Sequence, residues 1–280
     1  MQQYSPLLLS LGETMLNLYF ALRAVECLCA LSLLIQTLEF FRLQPALQET
    51  GIWCWSKQRQ ELSHSPIWMQ RLADFLYQDH HHQLHLMLRA ATAVTLFFGI
   101  SLVSSVFLFF STIILLIRWR GAFNGGSDFM TLVVVTGLLI TQLGIPLLGA
   151  PMAYRAGLWF ITIQAISSYF ISGSVKLFDA NWRNGRALSF FISGAIFGPL
   201  QENSIYKKRW FALVSCWSFI VWESTFPLAL CGPLWAVTWC SIAALFHFLV
   251  FWHFGLNRFF WAWLSTFPAI IYCSTQLRFF

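Results

Sequence analysis

The chain has 280 residues, 58% of them hydrophobic and only 10% charged. A soluble domain carries about 25% charged residues, and several uncharged stretches here approach or exceed the ~18 residues of a membrane-crossing helix. A polytopic membrane protein is therefore expected, with little room for a soluble domain. The formal net charge of +6 reads as loop lysines and arginines beside anionic lipid, and no basic run with interleaved aromatics points to nucleic acid.

The first residues, MQQYSPLLLSLGET, lack a basic start and a small-residue cleavage site, so targeting is expected from the first span. That span reads as Tyr19–Phe41, with Glu26 and Glu39 in or near it. A polar stretch, 42–83, follows. In it Ser65-Pro66 reads as a helix N-cap and first residue. Ile67, Leu72, Phe75 and Leu76 then share one side of a short amphipathic helix, with Gln70, Arg71 and Asp74 opposite. Such a helix lies on the membrane surface.

Leu84–Ile117 holds one charge, Arg89. As one helix it would be about 51 Å long, against a hydrocarbon core of about 30 Å. Two short spans turning near Gly99–Ser105 fit better. Asn124-Gly125-Gly126 is a turn signal. Further spans are expected at Phe129–Leu148, Gly157–Phe178, Trp210–Leu230, Leu234–Trp252 and Phe259–Thr275. Pro146, Pro151, Pro227 and Pro268 mark ends or kinks that neighbouring helices can satisfy.

Eight spans put Arg42, Lys57, Arg59, Arg71, Arg89, Arg118, Arg120, Arg183, Arg186, Lys207, Lys208, Arg209 and Arg258 on one side, and only Arg23, Arg155 and Arg278 on the other, Lys176 being set aside. Seven spans split the charges almost evenly. The positive-inside rule favours the asymmetric count, with the loop after Lys176 in the cytoplasm and both termini outside. The expected fold is an all-α polytopic helical bundle of about eight transmembrane segments, one transmembrane domain over 1–280.

Ionisable groups inside spans are functional candidates, because an unpaired charge in lipid is costly. Gln164, Ser168, Ser172 and Lys176 recur every four residues and form a polar stripe on one helix face. Gly173 beside them lets another helix or a ligand approach closely. Lys176 reads either as a snorkelling anchor at the helix end or as a general base in an apolar setting. Glu223 and His247 each lie thirteen residues into a span, on chains running opposite ways. His247 then sits nearer the Lys176 end, the two share a pocket, and Glu223 lies deeper. The alternatives are a structural carboxylate and a hydrogen-bonded core histidine. His81 and His85, four apart in HHHQLH, have metal-ligand spacing, but too few histidines lie elsewhere for a di-iron site, and a polar interfacial cap is favoured. The seven scattered cysteines form no CxxC pair and read as small buried hydrophobes.

The segment YFISGSVKLFDANWRNG, 169–185, resembles the signature of the HTTM (horizontally transferred transmembrane) domain. That family is related to the membrane part of vitamin K-dependent gamma-glutamyl carboxylase. The matching positions are Tyr169, Phe170, Gly173, Lys176, Trp182 and Gly185. The interval from Glu223 to a Phe-His pair at His247, the interval from there to Pro268, and the GLNRFFWAWLSTFPAIIY ending extend the resemblance over roughly 85–275. The resemblance implies that Lys176 is the base that deprotonates a hydroquinone, with His247 and Glu223 lining the pocket. Tyr169, Gly173 and Trp182 would lie at a quinone or hydroquinone cofactor. The ending also looks like bacterial members, which implies a bacterial inner membrane. Partners would be the lipid bilayer, a lipophilic small molecule and, if the chain is a non-catalytic subunit, a membrane redox protein.

Overall fold

The computed structural model describes residues 6–119, 125–194, 196, 201 and 203–277, with side chains from residue 17 onward. Among the described residues the chain is all helix: α1 Pro6–Arg42, α2 Gln44–Leu47, α3 Trp55–Gln58, α4 Ile67–Leu76, α5 Asp79–Thr95, α6 Leu102–Trp119, α7 Gly125–Leu148, α8 Ala150–Phe178, α9 Ala180–Arg183, α10 Arg186–Ser193, α11 Arg209–Ser224, α12 Pro233–Phe254, α13 Asn257–Leu264 and α14 Phe267–Ser274. Asn124, Arg120 and Arg278 lie outside the described residues. Five helices, within α1, α6, α7, α8 and α12, are long and apolar enough to cross a membrane. The chain is thus a helical membrane protein. Large apolar side chains on its outer faces, such as Ile163, Ile171, Val175 and Leu245, stay exposed, and lipid supplies the cover that water would penalise.

The 34-residue run does turn. α5 ends at Thr95, residues 96–101 turn, and α6 begins at Leu102. The guanidinium of Arg23 closes that turn. It donates to Leu96 O at 3.2 Å and Phe97 O at 2.6 Å and is paired with Glu26. A cation there satisfies carbonyls that a helix C-terminus leaves free.

The prolines act in different ways. Pro146 lies inside α7, while Pro151 and Pro268 occupy first-turn positions of α8 and α14. Pro227 falls in a 3₁₀ stretch, Phe226–Cys231, that continues α11. The expected Trp210–Leu230 span is therefore a helix with a tighter tail, and the expected Phe259–Thr275 span is two helices broken at 265–266. The start of the Gly157–Phe178 span moves to Ala150. Gly157 sits mid-helix, where a side chain would strike Thr141 and the Gly137 carbonyl of α7. Small residues at such positions let two helices approach through their backbones.

α4 also differs in one detail. Pro66, not Ser65, is the N-cap residue, and its carbonyl accepts from Met69 and Gln70 at 2.9 and 3.2 Å. The two-faced character holds. Ile67, Trp68, Leu72 and Phe75 are each at least half exposed, while Asp74 on the other side binds Trp55 and Arg59. The polar face holds the 44–78 segment together and leaves the apolar face outward.

The core has three parts. One joins α1, α5, α6, α7, α8 and α14 through residues such as Leu33, Leu108, Leu138 and Ile161. A second, around Ala165, Tyr169, Phe226, Ala243 and Trp263, joins α7, α8, α11 with its 3₁₀ tail, and α12–α14. A third, smaller cluster of Phe40, Leu47, Leu86, Leu115 and Trp119 joins the 44–78 segment to α1, α5 and α6.

Candidate functional site

The DANWRNG stretch explains how Lys176 is held. α8 ends at Phe178, and Asp179 caps α9 by accepting from Asn181 N at 2.7 Å. That turn brings the Trp182 ring back over Lys176, with Nζ 5.0 Å from its centroid, within the range of a cation–π contact. Gly185 then takes a left-handed conformation, φ 81°, against the backbone of Leu213, a turn few other residues make cheaply. Trp217 of α11 closes the corner by donating to Arg183 O at 3.1 Å.

Lys176 Nζ donates to Ser172 Oγ at 2.6 Å and forms an ion pair with Glu223. The lysine side chain is 15% exposed and the glutamate 4%. Gly173 sets the spacing, because a side chain there would strike the backbone of Glu223 and Ser224. The close partner at Gly173 is thus α11 itself, not an open ligand space. The rest of the polar stripe splits. Ser168 turns back to Gln164 O at 2.8 Å, and Gln164 is exposed.

His247 is not beside Lys176. It lies two turns along α8, where Nε2 meets Tyr169 Oη at 2.6 Å. Around this pair are Phe226, stacked on Tyr169 at 3.9 Å, Trp263, stacked on His247 at 5.0 Å, and Trp222, 5.4 Å from Tyr169. Both polar residues are nearly fully buried. His247 is therefore a hydrogen-bonded histidine in an aromatic core, which was the plainer of its two readings. The depth order is the reverse of the expected one. Glu223 is level with Lys176, and His247 is the deeper residue. The reason is that α11 begins beyond the end of α8. Its residues 212–213 pack on Gly185, so thirteen residues carry Glu223 only as far as Gly173.

An open groove of about 610 Å³ runs on the other side of α11, lined by Trp217, Val221, Trp222, Thr225, Trp239 and Ile242, among others. A second, of about 330 Å³, lies at Glu39, Arg42 and Arg258. Neither is lined by Lys176, Glu223 or His247. The shared pocket expected for those three residues is not among these grooves. They form two linked contacts instead, joined through Tyr169 and Trp222.

A second charged cluster is larger and less visible from sequence. Arg258 pairs with Glu39 at 2.9 Å and with Asp128 at 3.2 Å. Gln36 donates to Asp128 at 2.7 Å and accepts from Arg89 at 2.6 Å. Arg89 also donates to Ser111 and Thr112, each at 3.0 Å, and Ser111 meets His85 at 2.7 Å. Asn257 extends the chain to the other Glu39 oxygen at 3.1 Å. Five helices, α1, α5, α6, α7 and α13, meet in this network. Its signal was present as the lone Arg89 in an apolar run, with Glu39 and Asp128 at span ends.

Two histidines of the cluster have partners within the protein. His81 is held by Phe75 O and His85 by Ser111. No group of three or more metal-ligating side chains occurs among the described residues. The seven cysteines are free thiols.

No family model, no curated protein and no solved structure matches the chain. The HTTM resemblance therefore rests on the quoted motif and spacings alone.

Proposed function

We propose that the chain is an eight-pass membrane protein of the HTTM type that binds a lipophilic, quinone-like ligand beside Lys176 and exchanges a proton with it. Eight passes arise if α5, α11 with its 3₁₀ tail, and α13 with α14 each cross in addition to the five long helices. The observation that carries the functional reading is the Lys176 cluster. One lysine is held at the end of an apolar helix by a carboxylate, a hydroxyl and an indole face, yet keeps an exposed edge.

The donor set suits a phenolic hydroxyl. Nζ and Ser172 Oγ give the hydroxyl hydrogen-bonding partners, Glu223 can take up a proton passed through Nζ, and Trp182 offers a flat apolar wall. Tyr169 and His247 are too buried to touch a ligand in this arrangement, so they set the position of α8 against α12. A quinone-type cofactor, when bound, supplies the redox chemistry.

The test is to purify the protein in mild detergent and search for a co-purifying quinone by mass spectrometry. Lys176→Arg should abolish hydroquinone-dependent activity while leaving folded protein in the membrane. Blank screens with hydroquinones and no bound lipophile remove the enzyme reading.

A second reading is favoured by the fit at Gly173. Lys176 and Glu223 then lock α8 to α11 in a non-catalytic subunit. Under it, Lys176→Arg keeps function, and a Lys176→Met/Glu223→Leu double variant is as stable as the parent.

A further inference from the structure

The groove at the end of α1 carries charge of both signs. Glu39, Arg42, Asn257 and Arg258 line it, with Leu43 and Leu256 as apolar walls. Its volume of about 330 Å³ is on the scale of small-molecule pockets. Arg258 is already committed. It is 5% exposed, paired to Glu39 and Asp128, and lies over the Phe40 ring. Arg42 differs. It is exposed, and among the described residues it has no ion pair or side-chain hydrogen bond. Glu39 accepts one bond on each oxygen, from Arg258 and Asn257, and its side chain is 34% exposed. A carboxylate has about four lone-pair sites, so two remain for a ligand.

We infer that this groove binds the head group of a zwitterionic phospholipid, its phosphate on Arg42 and its primary ammonium on Glu39. The position supports lipid as the source. The groove lies at the end of a membrane-spanning helix, beside Leu43 and Leu256, where a glycerol backbone meets water. The charge pattern supports the class. A free guanidinium forks onto phosphate oxygens, and an adjacent half-satisfied carboxylate takes N–H donors. An anionic lipid lacking the ammonium meets Glu39 as a like charge. Binding here is independent of the Lys176 reading.

The experiment places the full chain in nanodiscs of equal phosphatidylethanolamine, phosphatidylglycerol and phosphatidylcholine, then reads retained lipid by native mass spectrometry after detergent exchange. Phosphatidylethanolamine should be retained over phosphatidylglycerol by roughly tenfold, the equivalent of about 1.4 kcal/mol. Arg42→Ala, at an exposed position with no partner among the described residues, should fold normally and lose that retention. Phosphatidylcholine should be retained several-fold less, because its trimethylated nitrogen keeps the charge but has no N–H for Glu39. This comparison reads the Glu39 side of the groove and needs no variant. Equal retention of all three lipids, unchanged retention in Arg42→Ala, or displacement of the lipid by inorganic phosphate alone would each overturn the assignment.

Discussion

The protein buries charge in two ways. At Lys176 two groups from two helices meet, and one keeps an exposed edge. At Arg258 a longer set runs in series. Arg89, Gln36, Asp128, Arg258 and Glu39 each hold the next, with two cations against two anions. The difference lies in redundancy. A pair leaves one isolated charge when its partner is removed, whereas a network spreads the damage across five helices. Uncompensated charge in an apolar setting is what makes either expensive. A pair with one exposed edge is the simpler place for chemistry, whereas the enclosed centre of the network, Arg89, Asp128 and Arg258, serves architecture and only its Glu39 end reaches a groove.

The comparison breaks first at the network. Arg258→Ala leaves Asp128, which is 4% exposed, with the Gln36 amide but without its paired cation, and weakens the hold on Glu39. Breaking a buried pair from one side costs about 3–5 kcal/mol, so the variant should unfold at much lower denaturant or fail to accumulate in the membrane. Arg89→Leu should behave similarly, because Gln36, Ser111 and Thr112 lose a shared donor. If both variants unfold like the parent in detergent titrations, the network is not what holds α1 to α5, α6, α7 and α13.

The Lys176 pair should be next. Lys176→Met leaves Glu223 buried without its cation and should destabilise by about 2–4 kcal/mol, less than a fully enclosed pair because the lysine edge is exposed. Pairing it with Glu223→Leu should restore most of that loss, and a thermal-unfolding double-mutant cycle reads the coupling directly. Recovery of stability without recovery of activity would separate chemistry from locking. Gly173→Ala tests the same contact sterically. The added methyl meets α11 backbone, so it should force the helices apart and cost about 1–3 kcal/mol, as overpacking does. An unchanged melting temperature would mean that α8 and α11 are not in contact there.

These regions were unequally legible. The turn in the Leu84–Ile117 run followed from length alone, since one helix would overshoot the bilayer. The Lys176 motif was legible because its cap, tryptophan and glycine lie within ten residues. Its partner Glu223 was legible as an ion in a span, but not its level. That level depends on how far α11 starts beyond α8, which is a tertiary fact carried by the contact at Gly185. The Arg258 network was hardest. Its members are spread from Gln36 to Arg258, and nothing local tells Asp128 from a polar loop residue before a span. His247 drew functional attention because it is ionisable, yet Tyr169 and the aromatic rings around it account for its burial.

The smallest effect lies outside the bundle, and it tests whether the 44–78 segment is held by charge. Arg59 bonds Asp74 at 2.7 and 2.9 Å, and Trp55 donates to the same carboxylate at 2.9 Å. The Arg59 guanidinium holds the Asp74 carboxyl below its usual value. A carboxylate depressed in the folded state contributes stability that is complete above its unfolded pKa, about 3.9, and is lost as pH falls through the folded value. Hydrogen exchange over α4 should therefore be flat from neutral pH down to about 4 and should quicken only below that, once intrinsic exchange is subtracted. Asp74→Asn keeps the size and removes the charge, so it should exchange α4 slightly faster at neutral pH and show no acid step. An equal acid step in Asp74→Asn would assign the titration to another carboxylate. Because the pair is open to solvent, high salt should shrink the difference between parent and variant, whereas the buried network and the Lys176 pair should respond to salt hardly at all.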